Sequence, residues 1–137
     1  MLQACPWGEF NTNNINEANV LIMGIPFDGA VSCGKGAALG PERMRMVSRY
    51  LPPATEVGEV LTKIKIHDVG DIPLDLEWSR YFESVQNSAY NLLKEEKYCM
   101  FLGGDHSVTI PLHRAFGKHC EEKKLRKDWS YSFRFSL

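Results

Sequence analysis

The stretch Tyr98-Cys-Met-Phe-Leu-Gly-Gly-Asp-His-Ser-Val-Thr-Ile-Pro111 constrains the fold more than any other part of this chain. Its apolar run, Cys99-Met-Phe-Leu102, ends in Gly103-Gly104, passes Asp105-His106-Ser107 and enters a second apolar-periodic segment. A short apolar run bounded by glycines reads as a buried parallel strand, and the residues after it as a tight turn and a helix start. Glycines without a Cβ let the backbone bend sharply and approach a neighbour or ligand closely. Asp105 and Ser107 are both good helix-capping types. Between them His106 sits where the carboxyl end of a strand opens onto a crevice, the usual ligand position in open α/β sheets. The bare pattern leaves two readings open. It is either a binding or metal site built on His106, or an ordinary strand end with a solvated imidazole.

The rest of the chain repeats the same grammar. Val20-Leu-Ile-Met23 is continuously apolar, as expected of a strand covered on both faces. Gly40-Pro41 begins a helix, since proline at its first position has no N–H to lose, with Met44, Val47 and Leu51 on one face and Pro52-Pro53 as the stop. Ile64-Lys-Ile66 leads a second strand that ends at Asp68-Val-Gly-Asp71. Ser79 is positioned to cap a long helix with Phe82, Val85, Ala89 and Leu92-Leu93 inward. The last helix turns Leu112, Ala115 and Phe116 inward and leaves His113 at the surface. Strand, helix, strand, helix, strand, helix predicts a parallel sheet with right-handed crossovers, hence an α/β fold with three α/β/α layers. Residues 1–18 read as a polar, irregular arm, either docked by Trp7 and Phe10 or partly disordered.

Length and charge narrow the function. The chain has 137 residues, which suits one domain, and 44% hydrophobic residues, enough for a core. With 16 basic against 17 acidic residues, it offers no electrostatic case for nucleic acid or an anionic membrane. The four cysteines (Cys5, Cys33, Cys99, Cys120) form no C-x-x-C pair and read as reduced thiols. No signal-peptide pattern opens the sequence and no apolar run reaches membrane-spanning length, so the cytoplasm is the expected compartment. Gly34-Lys-Gly36 is too short for a phosphate-binding loop, and no G-x-G-x-x-G follows the first strand, which disfavours a nucleotide-binding domain. Arg43 and Arg45 could bind an anion, but helix-surface arginines are usually just solvated; Asp68 and Asp71 read as turn or supporting carboxylates.

Three segments together carry a resemblance. Leu102-Gly-Gly-Asp-His-Ser107 resembles the first metal-binding motif of the ureohydrolases, the arginase/agmatinase family. Gly24-Ile-Pro-Phe-Asp28, with Ser32, Gly34-Lys-Gly36 and Gly40-Pro-Glu-Arg-Met-Arg45 after it, resembles that family's amino-terminal signature in its agmatinase-like form. His67-Asp-Val-Gly-Asp-Ile72 resembles the Gly-Asp segment between them. The motifs stand in family order and cover most of the chain from Val20 to Phe116. The resemblance implies an arginase/deacetylase-like fold, with residues 19–126 forming the amino-terminal part of its α/β domain. It implies two Mn²⁺ ions sharing a hydroxide that attacks the guanidinium carbon of agmatine or a similar substrate, releasing urea and an amine in polyamine synthesis. Arginine, guanidino acids and formimidoylglutamate remain alternative substrates. A metal pair suits this chemistry because it lowers the pKa of bound water and steadies the tetrahedral intermediate. By resemblance His106 is a metal ligand, while Gly103, Gly104, Asp105, Ser107 and Asp28 shape the site; in the loop, Asp28 and Ser32 also suit plain turn chemistry.

No catalytic residue is carried over onto these positions. The family's other ligands come from an Asp-x-His-x-Asp strand and a later Asp-x-Asp segment, and neither string is present. One imidazole cannot hold two divalent cations, so the expectation is a chain inactive by itself. The intact protein is expected to be a homo-oligomer. The alternative is a short form that pairs with full-length subunits as an assembly module. Residues 127–137 are atypical, with Trp129-Ser-Tyr-Ser-Phe-Arg-Phe-Ser-Leu137 alternating like a strand. Read one nucleotide forward, codons permitted for Lys127–Ser136 spell Lys-Ile-Gly-Val-Ile-His-Phe-Asp-Ser-His, close to the family's next metal strand. A shifted reading frame near Lys127 is therefore expected.

Overall fold

Three parallel strands form the sheet at the centre of this computed structural model, which describes residues 5–123 except Cys33 and Leu51. The order along the chain is β1 (Val20–Ile25), α1 (Gly40–Ser48), β2 (Ile66–Asp71), α2 (Trp78–Leu93), β3 (Tyr98–Gly103) and α3 (Thr109–Glu122). In the sheet the order is β2-β1-β3, with β1 central and parallel to both neighbours. This is the α/β arrangement expected of alternating strands and helices. The expectations for Leu51, Cys33 and the tail 127–137 lie outside the described residues.

The apolar run of β1 is continuous because both its faces are covered. Leu21, Ile22, Met23 and Ile25 are all buried. Side chains alternate between faces along a strand, so Met23 and Ile25 enter one core with Phe27, Ile72, Val108 and Leu112 under α2 and α3. The inward residues of α2 are Tyr81, Val85 and Ala89. Tyr81 stacks on Phe27 with ring centroids 5.2 Å apart. Burial, reinforced by the carboxylate of Asp71, pushes the Tyr81 hydroxyl up to about 12. Burial likewise lifts the Cys99 thiol to about 11, with Glu95 adding to it, which leaves the thiol protonated and unreactive at neutral pH.

The opposite face of the sheet differs from expectation. Met44 and Val47 of α1 are 46% and 60% exposed, whereas Arg45 turns toward the sheet. Arg45 Nε and Nη2 donate to Asp68 at 2.7 and 2.8 Å, and Nη1 donates to Asp71 at 2.5 Å. Arg45 is therefore no solvated surface residue, and its acidic partners are more than turn formers. A bulge explains how residues 68 and 71 reach the same side: Ile22 pairs with Asp68 but Gly24 with Asp71, and the extra residue is taken up near Gly70 (φ 86°). Trp7 joins the cluster, donating from Nε1 to Asp68 at 2.7 Å and from its backbone N–H to Ser48 Oγ at 2.9 Å. The arm is thus docked, and its Asn11 pairs with Ile66 along the outer edge of β2.

Two smaller differences have local causes. The cap of α2 is Glu77, whose carboxylate accepts from the N–H groups of Ser79 and Arg80; Ser79 lies inside the helix. Phe82, Leu92 and Leu93 pack around the core from its margin.

Gly24 has no room for a side chain. A Cβ there would fall 1.8 Å from Asp71 Oδ1 and 3.1 Å from Arg45 Nη2. Gly24→Ala is expected to push the carboxylate off the guanidinium and cost about 1–3 kcal/mol, as overpacking does. Urea unfolding of the two proteins checks this, and an unchanged midpoint would refute the close approach.

Candidate functional site

The site begins at the carboxyl end of β3. After Gly103 the chain turns through Gly104 and Asp105 into a single 3-10 turn, His106–Val108, which runs on into α3. Gly104 packs backbone to backbone against the segment after β1: a Cβ would lie 1.9 Å from the Phe27 carbonyl oxygen. The next N–H, that of Asp105, donates to that same oxygen at 2.7 Å. Val108, buried beneath the turn, anchors it in the main core.

Asp105 ties the two chain segments together. Its side chain accepts the Ala30 N–H at 2.8 Å through one oxygen. Through the other it accepts the Ser107 N–H at 2.9 Å and the Ser107 hydroxyl at 2.5 Å. Only 9% of Asp105 is exposed. A buried carboxylate must have its lone pairs met, and here three donors meet them. Asp105 is thus the cap of the turn, and Ser107 is a donor to it.

His106 stands between these two residues and is exposed. Its neighbours on either side are fixed, so it stands on an ordered turn just past the carboxyl end of β3. Gly103, Gly104, Asp105 and Ser107 flank His106 along this one turn. Asp28 lies in the loop that Asp105 holds, but its carboxylate accepts the Gly36 N–H at 3.0 Å and so closes the loop on itself. Ser32 is exposed. Gly40, at the start of α1, comes against the Gly103 carbonyl, with 3.1 Å from a built Cβ to that oxygen.

The donor set decides what this arrangement can hold. Among the described residues no group of three or more His, Cys, Asp or Glu side chains is placed to bind a metal. Asp105 is saturated by donors, and Asp68 and Asp71 are held by Arg45. The described residues therefore do not fit a two-metal centre; they offer one imidazole where several anionic ligands are needed.

Sequence reasoning missed two contributors. Ala30 supplies the N–H that locks the loop to Asp105, a contact between residues 75 positions apart. Arg45 gathers the carboxylates of β2, and the signal for it was two acidic residues in a strand sheltered by helices, which require a cation.

Comparisons with known proteins agree with this architecture. The arginase-family model matches residues 18–126. The agmatinase of Neisseria meningitidis (serogroup C) is 38% identical over 112 residues, covering 76% of this chain and 36% of that protein. The agmatinase of Bacillus cereus is 34% identical over 107 residues, covering 77% of this chain and 37% of that one. Trypanosoma cruzi formiminoglutamase, crystallised with Mn²⁺, superposes with a TM-score of 0.71 at 22% identity over 80% of this chain and 38% of its own. That likeness shows the fold. The chain spans little more than a third of the length of the curated relatives it matches. No helix among the described residues is long and apolar enough to cross a membrane.

Proposed function

This chain belongs to the arginase family, and on that premise we propose that it is the amino-terminal part of an agmatinase-type ureohydrolase. The whole protein would hydrolyse a small guanidino substrate to urea and an amine. Agmatine is the first choice because the Neisseria and Bacillus relatives are agmatinases. Arginine, guanidino acids and formimidoylglutamate are the other members of the class. The observation that carries this reading is His106 itself, exposed at the carboxyl end of β3 on a turn that Asp105 and Gly104 lock to the neighbouring loop. An imidazole on such a turn would serve as one corner of a metal site.

This chain's own residues do only part of the work. They hold His106 in place, fix the loop from Phe27 to Gly36 beside it, and keep Asp105 occupied with donors. Mn²⁺, when held by a complete ligand set, supplies the acidity that makes water nucleophilic at neutral pH. One imidazole does not supply that set, so the isolated chain is expected to be inactive.

The test is direct. The purified chain is incubated with excess Mn²⁺, desalted and analysed for bound metal, then assayed for urea release from agmatine beside the Neisseria agmatinase. The expected result is no retained Mn²⁺ and no urea above the buffer control. Stoichiometric Mn²⁺ with turnover would show a complete site in this chain and overturn the account.

A further inference from the structure

The two faces of the sheet are closed by different means. On one, the buried cluster draws on β1, α2 and α3 and takes nothing from α1 or the arm. On the other, α1 fully buries only Pro41 and Ser48 of its nine residues, and its Met44 and Val47 face solvent. A helix that short is not stable without packing, so what keeps α1 on the sheet is polar and lies at its two ends. At the start, Gly40 comes against the Gly103 carbonyl. At the end, the helix and the arm share their partners. Trp7 Nε1 and Arg45 Nε both donate to the same oxygen of Asp68, each at 2.7 Å. Ser48 Oγ accepts the Trp7 N–H at 2.9 Å and donates to the Arg45 carbonyl at 2.8 Å.

The segments on either side of these contacts can turn. Ahead of α1, Gly34 and Gly36 hold φ of 67° and 133°, joints that glycine supplies without steric cost. They lie between the helix and Ala30, which Asp105 holds. Beyond α1 the chain leaves through exposed Arg49 and Tyr50. In the arm, Trp7 itself sits at φ 66°, a left-handed conformation that is costly for a residue with a Cβ, so its docked form is under strain that its contacts must maintain. From Asn11 onward the arm is paired to β2, with the Thr12 N–H on the Ile66 carbonyl at 2.8 Å and the Thr12 carbonyl beside His67 Nδ1 at 3.0 Å. Residues 5–10 can therefore swing without unpicking that edge. We propose that α1 is a flap on the sheet and that residues 5–10 are the strap that latches it. The two open together, about the glycines on one side and Asn11 on the other, while α2, α3 and the strands stay folded. Weakly packed units open in this way below the free energy of global unfolding. Opening lifts Gly40 from the Gly103 carbonyl, just ahead of the turn that carries His106, so the strap acts on the backbone beneath the candidate site. The flap does not depend on His106 being a metal ligand.

Native-state hydrogen exchange of the full chain, followed by NMR in low urea, tests this. The reporters are amides 44–48 of α1 and the Phe10 amide of the strap, which donates to the Trp7 carbonyl at 3.1 Å. In the unmodified chain both sets should share one urea dependence, weaker than that of Val85 and Ala89 in α2. Trp7→Phe removes the indole donor to Asp68, and Ser48→Ala removes the acceptor of the Trp7 N–H. Each variant should speed exchange of both sets by the same factor, at least tenfold, and leave Ala30, Val85 and Ala89 as they were. Separate urea dependences, or a strap that loosens while α1 keeps its protection, would show two independent segments and overturn the flap. Equal acceleration of Val85 and Ala89 would show a loss of global stability in place of a latch, and overturns it too. Should a variant fail to fold, the urea dependences of the unmodified chain decide the matter alone.

Discussion

Asp105→Ala is expected to cost about 2–4 kcal/mol and to free the loop at Ala30 from the turn that presents His106. The variant removes the acceptor for three donors at once: the Ala30 N–H, the Ser107 N–H and the Ser107 hydroxyl. A buried donor left without a partner costs about 1–3 kcal/mol each; the hydroxyl can rotate to find another acceptor, so two backbone N–H groups dominate. Asp105→Asn should fall between, since its amide keeps one acceptor oxygen and turns an N–H₂ toward donors. Hydrogen exchange measured by NMR gives the discriminating reading. The Ala30 amide should lose protection at least tenfold more than amides of β1, which sit in the sheet. If stability falls while Ala30 exchanges as before, Asp105 is not the clamp between loop and turn.

This clamp also shows what sequence can and cannot reveal. The turn at Gly103-Gly104 and the cap at Asp105 were legible because each depends on residues within a few positions of it. So was β1, whose apolar run had to be covered on both faces. The hydrogen bond from Ala30 was not legible, since no local pattern links residues so distant in sequence. On α1 the apolar spacing of Met44 and Val47 pointed the wrong face inward. The hydrophobic gain of turning those two side chains inward was outweighed by the need of two sheltered carboxylates for a cation, which Arg45 supplies. Capping is decided by the same kind of competition: Ser79 is a good cap by type, but the carboxylate of Glu77, just ahead of it, reaches two N–H groups.

The second large effect concerns that cation. Arg45→Met is expected to cost about 2–4 kcal/mol at pH 7, and the cost should shrink as the solution is acidified. The arginine and Asp68 side chains are 14% and 12% exposed, and breaking a buried pair costs about 3–5 kcal/mol because the surviving charge is stranded. The exposed flank of Asp71, 37% open, lets water screen part of that loss. Burial alone would raise Asp68, but hydrogen bonds from Arg45, Trp7 and the Gly70 N–H outweigh it and hold the carboxyl below its ordinary 3.8. A carboxyl depressed in the folded state adds stability that is present above the unfolded value and is lost as pH falls through the folded one. The wild-type chain should therefore lose this contribution below about pH 4. In the variant burial wins, protonation relieves the stranded charge, and stability should hold or rise over the same interval. Urea unfolding at pH 7, 5, 4 and 3 measures both curves. They should converge toward pH 3, and Trp7 fluorescence should report release of the arm in the variant already at pH 7. A constant gap across that range would mean that Arg45 acts through packing of its stem and not through the carboxylates.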